Sequence, residues 1–323
     1  MSVRMISRSF LAFAALCICA ATLAAAPMVS HSEFLDLCAT GKLSQVGVAV
    51  KRGADVGRID ENGTSPLLCA AREQDDPRVI EYLVDKGADI NAANPQGMTP
   101  LMVAAMHNPR TNIITALISR GAKPAALDPM GHSAVYYAAR YNKSPAVLTR
   151  LLIALGNVNY RTETGYTAMM AAAQNPNAKM TEALLRSGGS VKIRDAHGRT
   201  ALSYAAAFNS NPAVLSLIIR EGGAVNDADS SGMTPLMYAA SRNPSAEVLK
   251  ELIDSGANVR LRDKEDMTAL MHAARTGANP QVLELLLDSG ADKSAATEEG
   301  KKAVDFAEMN PRISNSGVFE RLR

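Results

Sequence analysis

The 323-residue chain has no tryptophan, six phenylalanines and eight tyrosines, so aromatic residues make up only 4% of it. A core this poor in rings is not the thick interior of a β-sandwich. It must be built from Ala, Leu, Ile, Val and Met, which suits thin, closely spaced helices. Cysteine is scarcer still: Cys17 and Cys19 lie in the N-terminal stretch, leaving only Cys38 and Cys69. Two thiols cannot complete a four-ligand zinc site, and no histidine lies near enough in sequence to join them. An oxidising compartment would permit a bridge, but the register below puts both on apolar helix faces, where buried thiols are expected. The five histidines (His31, His107, His132, His197 and His272) never form an H-x-x-x-H or H-E-x-x-H pair. G-x-S-x-G, P-loop and G-x-G-x-x-G phrases are missing too. Acidic neighbours such as Asp75-Asp76 and Glu298-Glu299 fall in loops and read as solvated turns. The expectation is therefore a chain with no catalytic residues, no metal ligands and no cofactor.

An excess of one charge is also missing. The chain has 34 basic and 32 acidic side chains. Without residues 1–26, which carry only Arg4 and Arg8, the balance is 32 against 32. A nucleic-acid or anionic-membrane partner would call for a basic face that these totals do not supply. Those first residues read as an export signal: Arg4 and Arg8 make a basic start, Phe10 to Leu23 is apolar apart from Thr22, and Ala24 to Ala26 offers small residues for cleavage. Cleavage after Ala26 would leave Pro27 first, which peptidases disfavour; cleavage after Ala24 is the alternative. The apolar run is shorter than a bilayer-spanning helix needs, and no later stretch is long and apolar enough to span, so no membrane insertion of the mature chain is expected.

What the sequence has in abundance is repetition. "GMTPLMVAA" at Gly97 returns as "GMTPLMYAA" at Gly232. The residue opening this phrase falls at Gly63, Gly97, Gly131, Gly165, Gly198, Gly232, Asp266 and Gly300, at intervals of 34, 34, 34, 33, 34, 34 and 34. Seven units follow: 63–96, 97–130, 131–164, 165–197, 198–231, 232–265 and 266–299. Atypical ends at 31–62 and 300–323 are expected to cap the stack. Within a unit, a Ser or Thr such as Thr99 or Thr234 sits where a helix should begin, and Pro66, Pro100 or Pro235 suits the first helical turn. An apolar run ends in paired alanines, Ala104-Ala105 for example. A break, usually X-Pro such as Asn108-Pro109 or Asn243-Pro244, separates a second amphipathic helix, which stops at a Gly such as Gly87, Gly121 or Gly256. A polar finger then leads into the next copy. No copy can bury its apolar face alone, so the copies must stack. The many methionines at repeat positions, Met102, Met170 and Met237 among them, read as adaptable core filler.

"GMTPLMVAA" and "RGADV" resemble the ankyrin repeat over essentially all of Ser32 to Phe306. The resemblance implies an all-α solenoid of helix-turn-helix units with hairpin-like fingers, curved and elongated. Two departures stand out. The family's usual pitch is 33, and the extra residue here falls between the helices, near Asn-Pro. The histidine that follows "TPL" in the family is read here only as His272, its place elsewhere being taken by Leu68, Met102, Tyr136, Met170, Ser203 and Met237, which puts the usual bracing of adjacent repeats in doubt. The Pro also alternates, 14 residues after the opening in every other unit and 11 or 12 in those between.

The resemblance implies that partners lie along the fingers and first helices. The variable positions there are the residue after each opening residue and the two after each alanine pair, among them Asn175, Ala207 and Met267. This strip has several arginines and rings and few acids. It predicts a mildly basic, ring-bearing face that binds an acidic protein segment, with Arg140, Tyr141, Arg161, Tyr166, Arg194, Arg199, Phe208 and Arg242 as candidate partner-binding residues. The expected function is an exported, non-catalytic scaffold, monomeric, periplasmic or secreted. The alternative is an accessory or protective factor for a periplasmic enzyme, for example under oxidative stress.

Overall fold

The computed structural model describes residues 29–277 and 279–323; the expected export signal and its cleavage site fall outside the described residues. Helices come in pairs: α1 (His31–Thr40) with α2 (Leu43–Lys51), α3 (Pro66–Glu73) with α4 (Pro77–Asp85), α5 (Pro100–His107) with α6 (Thr111–Ser119), and α7 (Ala134–Tyr141) with α8 (Pro145–Leu155). Next come α9 (Ala168–Ala172) with α10 (Ala178–Arg186), α11 (Ala201–Phe208) with α12 (Pro212–Arg220), α13 (Pro235–Arg242) with α14 (Ala246–Asp254), and α15 (Ala269–Thr276) with α16 (Pro280–Asp288). Three short helices end the chain, α17 (Ala303–Glu308), α18 (Pro311–Ser314) and α19 (Val318–Leu322). The odd-numbered inner helices pack in one file and the even-numbered outer helices in a second, each against its own partner and the next unit. Among the described residues there is no strand; isolated antiparallel bridges, such as Arg161 with Thr167 and Arg262 with Thr268, close some of the fingers. This is the all-α solenoid the resemblance implied.

The local chemistry explains the helices. Thr99 Oγ1 accepts from the Met102 amide at 3.3 Å, and Thr234 and Thr268 do the same for Met237 and Met271. Each bond satisfies a first-turn N–H that has no intrahelical partner. Ser133 occupies the cap position without making that bond. The paired alanines, Ala104-Ala105 and Ala273-Ala274 among them, are fully buried, so neighbouring inner helices meet over methyl groups rather than long side chains. Met102, Met170, Met237 and Met271 form a buried column beside them. The proline alternation has a structural meaning. Pro77, Pro145, Pro212 and Pro280 open their outer helices, whereas Pro109, Pro176 and Pro244 lie two residues ahead of outer helices that open at Thr111, Ala178 and Ala246.

The residue before those breaks does more than end a helix. Asn108, Asn142, Asn175, Asn209, Asn243 and Asn310 are all buried. Each sends its carboxamide back one unit. Asn209 Nδ2 donates to Ala173 O at 2.8 Å and Asn175 O at 3.0 Å, while its Oδ1 accepts from Asn211 N at 2.8 Å. Gln74 makes the same reach to Cys38 O and Gly41 O at the N-terminal end. The result is a polar ladder running between the two files of helices. It consumes backbone groups that the turn would otherwise leave buried and unpaired.

Candidate functional site

The inner face is formed by the finger residues and the C-terminal ends of the inner helices. Its foundation is a polar side chain at the base of each finger, a carboxylate in most of them and Asn94, Thr162 or Thr297 in the rest. Asp128 Oδ1 accepts from the amides of Met130 at 2.8 Å and His132 at 2.9 Å, which shapes the turn. Its Oδ2 accepts from the Tyr137 hydroxyl at 2.5 Å. Asp195 with Tyr204 (2.7 Å) and Asp229 with Tyr238 (2.5 Å) repeat this arrangement, and Asp263 with His272 Nε2 (2.6 Å) completes it. His272 therefore occupies the place of Tyr137, Tyr204 and Tyr238, one residue beyond the position expected from "TPL". That position is filled by Met271, buried in the methionine column. Where this bracing is present it is supplied mostly by tyrosine, because a phenol also reaches the finger carboxylate; Cys69, Val103 and Ala171 hold the same position in three units and make no such bond. Burial acts to raise the Asp195 carboxyl, but the hydrogen bonds from Tyr204 and from Arg199 outweigh it and hold the group below the usual carboxylate range.

On this base stands a chain of rings. His132 stacks on Tyr136 at 3.8 Å between centroids, Tyr136 meets Tyr166 edge-on at 5.7 Å, and Tyr166 meets Tyr204 at 5.0 Å. The space beneath His132, Tyr136 and Tyr166 is about 20 Å³, room for about one water. Burial pushes the Tyr136 phenol up to about 12. Tyr166 is thus part of a packed ring cluster, half-buried and bonded to Gln174.

The expected site residues divide into two groups. Arg161, Arg194 and Arg199 fasten the fingers. Arg161 donates to Arg194 O at 2.9 Å, Arg194 to Ala228 O at 2.9 Å and to Asp227, and Arg199 pairs with Asp195 at 2.8 Å. The other four form two pairs in different units, Arg140 with Tyr141 and Arg242 with Phe208; Arg140 is half-buried and also donates to Gln174 O at 3.2 Å. Tyr141 is 45% and Phe208 50% exposed, which is unusual for rings in so apolar-poor a surface strip. Arg140 lies 5.1 Å over the Tyr141 ring; Arg242 lies 5.9 Å over Phe208 and 5.4 Å over Tyr238. Neither Arg140 nor Arg242 makes an ion pair among the described residues. Three positions expected on this surface are buried instead. Asn175 belongs to the ladder because its unit has lost the residue before it, Ala207 packs in the inner-helix file, and Met267 lies beneath its finger. The sequence reading missed the tyrosines at 137, 204 and 238 and the ladder; the recurring nine-residue gap from finger Asp to Tyr was the available signal.

Cys38 is buried and Cys69 half-buried, and both are free thiols. Among the described residues no three His, Cys, Asp or Glu side chains gather as metal ligands, and no helix is long and apolar enough to cross a membrane. A family model described as "Ankyrin repeats (3 copies)" matches residues 35–128, 111–195, 135–224 and 202–297. A comparison with curated proteins finds no match.

Proposed function

Because this chain belongs to the ankyrin-repeat family, we propose that it is an exported, non-catalytic scaffold that holds an acidic segment of a protein partner against its inner face. The observation carrying this reading is a repeated device on the inner face, two separate cation–ring pairs, Arg140 with Tyr141 and Arg242 with Phe208, in which each guanidinium lacks a carboxylate partner among the described residues and each ring is exposed. A guanidinium held against a ring has already lost much of its rotamer freedom, so pairing it with a partner's carboxylate costs less entropy. Exposed Tyr and Arg are the side chains that dominate protein–protein affinity. The carboxylates of Asp128, Asp195 and Asp263 are occupied by hydrogen bonds within their own fingers and make no ion pair with Arg140 or Arg242. Export rests on the N-terminal sequence pattern, and a monomer in the periplasm or outside the cell is part of the same proposal.

The experiment is affinity capture from the cell envelope of the source organism, using the wild-type chain and an Arg140→Ala, Tyr141→Ala, Phe208→Ala, Arg242→Ala variant. Tyr166 is left intact because its ring packs between Tyr136 and Tyr204 and its hydroxyl is bonded to Gln174. The expected result is one partner lost in the variant with the melting curve unchanged. Equal capture by both proteins would reject this face.

A further inference from the structure

The inner face changes character toward its C-terminal end. Between the finger at Ser230-Ser231 and the finger at Lys264-Glu265 lies a cleft of about 540 Å³, floored by the ends of α13 and α15. Three cations line it: Arg242, Lys264 and Arg275. Arg242 and Lys264 make no ion pair among the described residues. Arg275 reaches Glu265 only at 3.5 Å, with both groups largely exposed, a contact that water readily competes with. The other acid in the cleft is spent internally. Asp263 Oδ1 accepts from the Glu265 and Met267 amides at 2.9 Å each, and Oδ2 bonds His272. The cleft therefore carries three cations against two carboxylates, of which only Glu265 is open to compete for them. The next cleft along, lined by Lys264, Arg275 and Lys301 but also by Glu265, Glu298 and Glu299, is balanced. The groove near the N-terminal end has Arg72 as its one Lys or Arg, and Glu73 pairs with it at 3.4 Å.

We propose that this cleft is a binding site for a phosphoryl group. A guanidinium fork offers paired N–H donors to two oxygens of a tetrahedral anion, and an ammonium supplies a compact charge. Arg242 is held in place by Tyr238 and Phe208 rather than free to collapse onto an acid. The Ser231 hydroxyl, with no hydrogen-bond partner among the described residues, adds a neutral donor at the rim. The volume falls in the range of small-molecule sites, so it admits either a free phosphate ester or a phosphorylated side chain of a partner. The site shares Arg242, and the Phe208 ring beneath it, with the proposed partner-binding face but does not involve Arg140 or Tyr141.

The test is calorimetric titration of the full chain at low ionic strength with pyrophosphate, and with a synthetic peptide carrying either serine or phosphoserine at one position. Wild type should bind pyrophosphate, the phosphopeptide or both saturably, and the unmodified peptide much more weakly. A Lys264→Gln, Arg275→Gln variant should lose about tenfold or more, since each charged hydrogen bond is worth about 1.5–3 kcal/mol. Both positions are exposed, and an unchanged melt verifies folding. Tighter pyrophosphate binding assigns the site to a free phosphate compound, tighter phosphopeptide binding to a modified partner. Absence of saturable binding, equal binding of the two peptides, or equal affinity in the variant overturns the site. Partner capture lost only in the Arg140, Tyr141, Phe208 and Arg242 variant, with no phosphoryl binding, would sink this proposal and leave the scaffold reading standing.

Discussion

Asn142 donates one carboxamide proton to Ala105 O at 2.7 Å and the other to Asn108 O at 3.0 Å, from a position that is 2% exposed. Two backbone carbonyls of the preceding unit are thus satisfied by one side chain of the next. Leucine is close in size but offers no donor, and it excludes the water that could substitute. Asn142→Leu should therefore destabilise the full chain by about 2–5 kcal/mol, the penalty for two buried, unpaired carbonyls. Asn112, whose exposed carboxamide reaches Asp75 O at 3.3 Å, is the control. Its replacement by alanine should cost less than about 1 kcal/mol. Urea denaturation followed by circular dichroism measures both. A similar cost for the two variants would mean the ladder is incidental.

The ladder has one gap. Gly277 stands where the other units place asparagine, so no carboxamide from this position reaches the carbonyls of the unit before it. At the opposite end Gln74 closes the first junction with bonds of 3.1 Å to both Cys38 O and Gly41 O. In a stack stabilised by neighbour contacts, a weak junction sets where opening begins. Residues 266–323 should exchange amide hydrogens as a block, with lower protection than residues 31–96. Equal protection at the two ends in hydrogen-exchange mass spectrometry would contradict this.

Much of the architecture was legible in the sequence because it is written many times. Caps at Thr99, Thr234 and Thr268, stops at Gly87 and Gly256 and the alanine pairs recur in register, and each has a local physical cause. The ladder was less legible, because Asn before Pro also reads as a simple helix breaker, and only the packed structure shows its side chain crossing to the previous unit. The division of the candidate residues was half legible. Composition marked Arg140, Arg242, Tyr141 and Phe208 but could not separate them from Arg161, Arg194 and Arg199. Those three fasten fingers through carbonyls and carboxylates that sequence spacing alone does not bring near, whereas Arg140 makes one bond, to Gln174 O, and Arg242 only ring contacts.

His272 is the one imidazole in a register that Tyr137, Tyr204 and Tyr238 hold in three other units, and this has a pH consequence. Burial lowers its pKa, and the pull of Asp263 in the other direction does not fully offset this. A base with a depressed folded pKa binds protons more readily when unfolded. Its stability contribution is complete above about pH 6.5 and is lost as the pH falls below that value. His272→Tyr would place a phenol against Asp263, as Tyr238 does against Asp229, and remove this titration. His107, also lowered chiefly by burial, acts equally in both proteins. The melting temperature of wild type should drop between pH 7 and pH 5 by more than that of His272→Tyr. Parallel curves would refute the assignment.

The two thiols should be slow to react. Burial pushes Cys38 up to about 12 and Cys69 up to about 11. Alkylation proceeds through the thiolate, so at pH 8 both should label far more slowly than in denaturant, and Cys69, half-buried, should label before buried Cys38. Peptide-resolved mass spectrometry over a time course of iodoacetamide exposure gives the order. Labelling of Cys38 in native protein at the denatured rate would show that α1 is not packed as described.

Fingers and outer-helix ends use glycine for different reasons, and paired alanine substitutions separate them. Gly87 ends α4 with φ of +99°, and a Cβ there would meet nothing within 4 Å. Its substitution tests backbone strain alone, about 1–2 kcal/mol for a left-handed residue with a side chain. Gly97 opens a unit with φ of +78°, but its Cβ would lie 2.3 Å from Pro129 Cδ of the next finger. There the same backbone strain is joined by a steric clash between units, so Gly97→Ala should cost about 2–5 kcal/mol. The added loss should disappear in a Gly97→Ala, Pro129→Ala background, where the opposing ring is gone, while Gly87→Ala should be insensitive to position 129. If Gly97→Ala and Gly87→Ala cost the same, the fingers do not touch closely enough to transmit packing from one unit to the next, and unit-to-unit coupling would rest on the helices and the asparagine ladder.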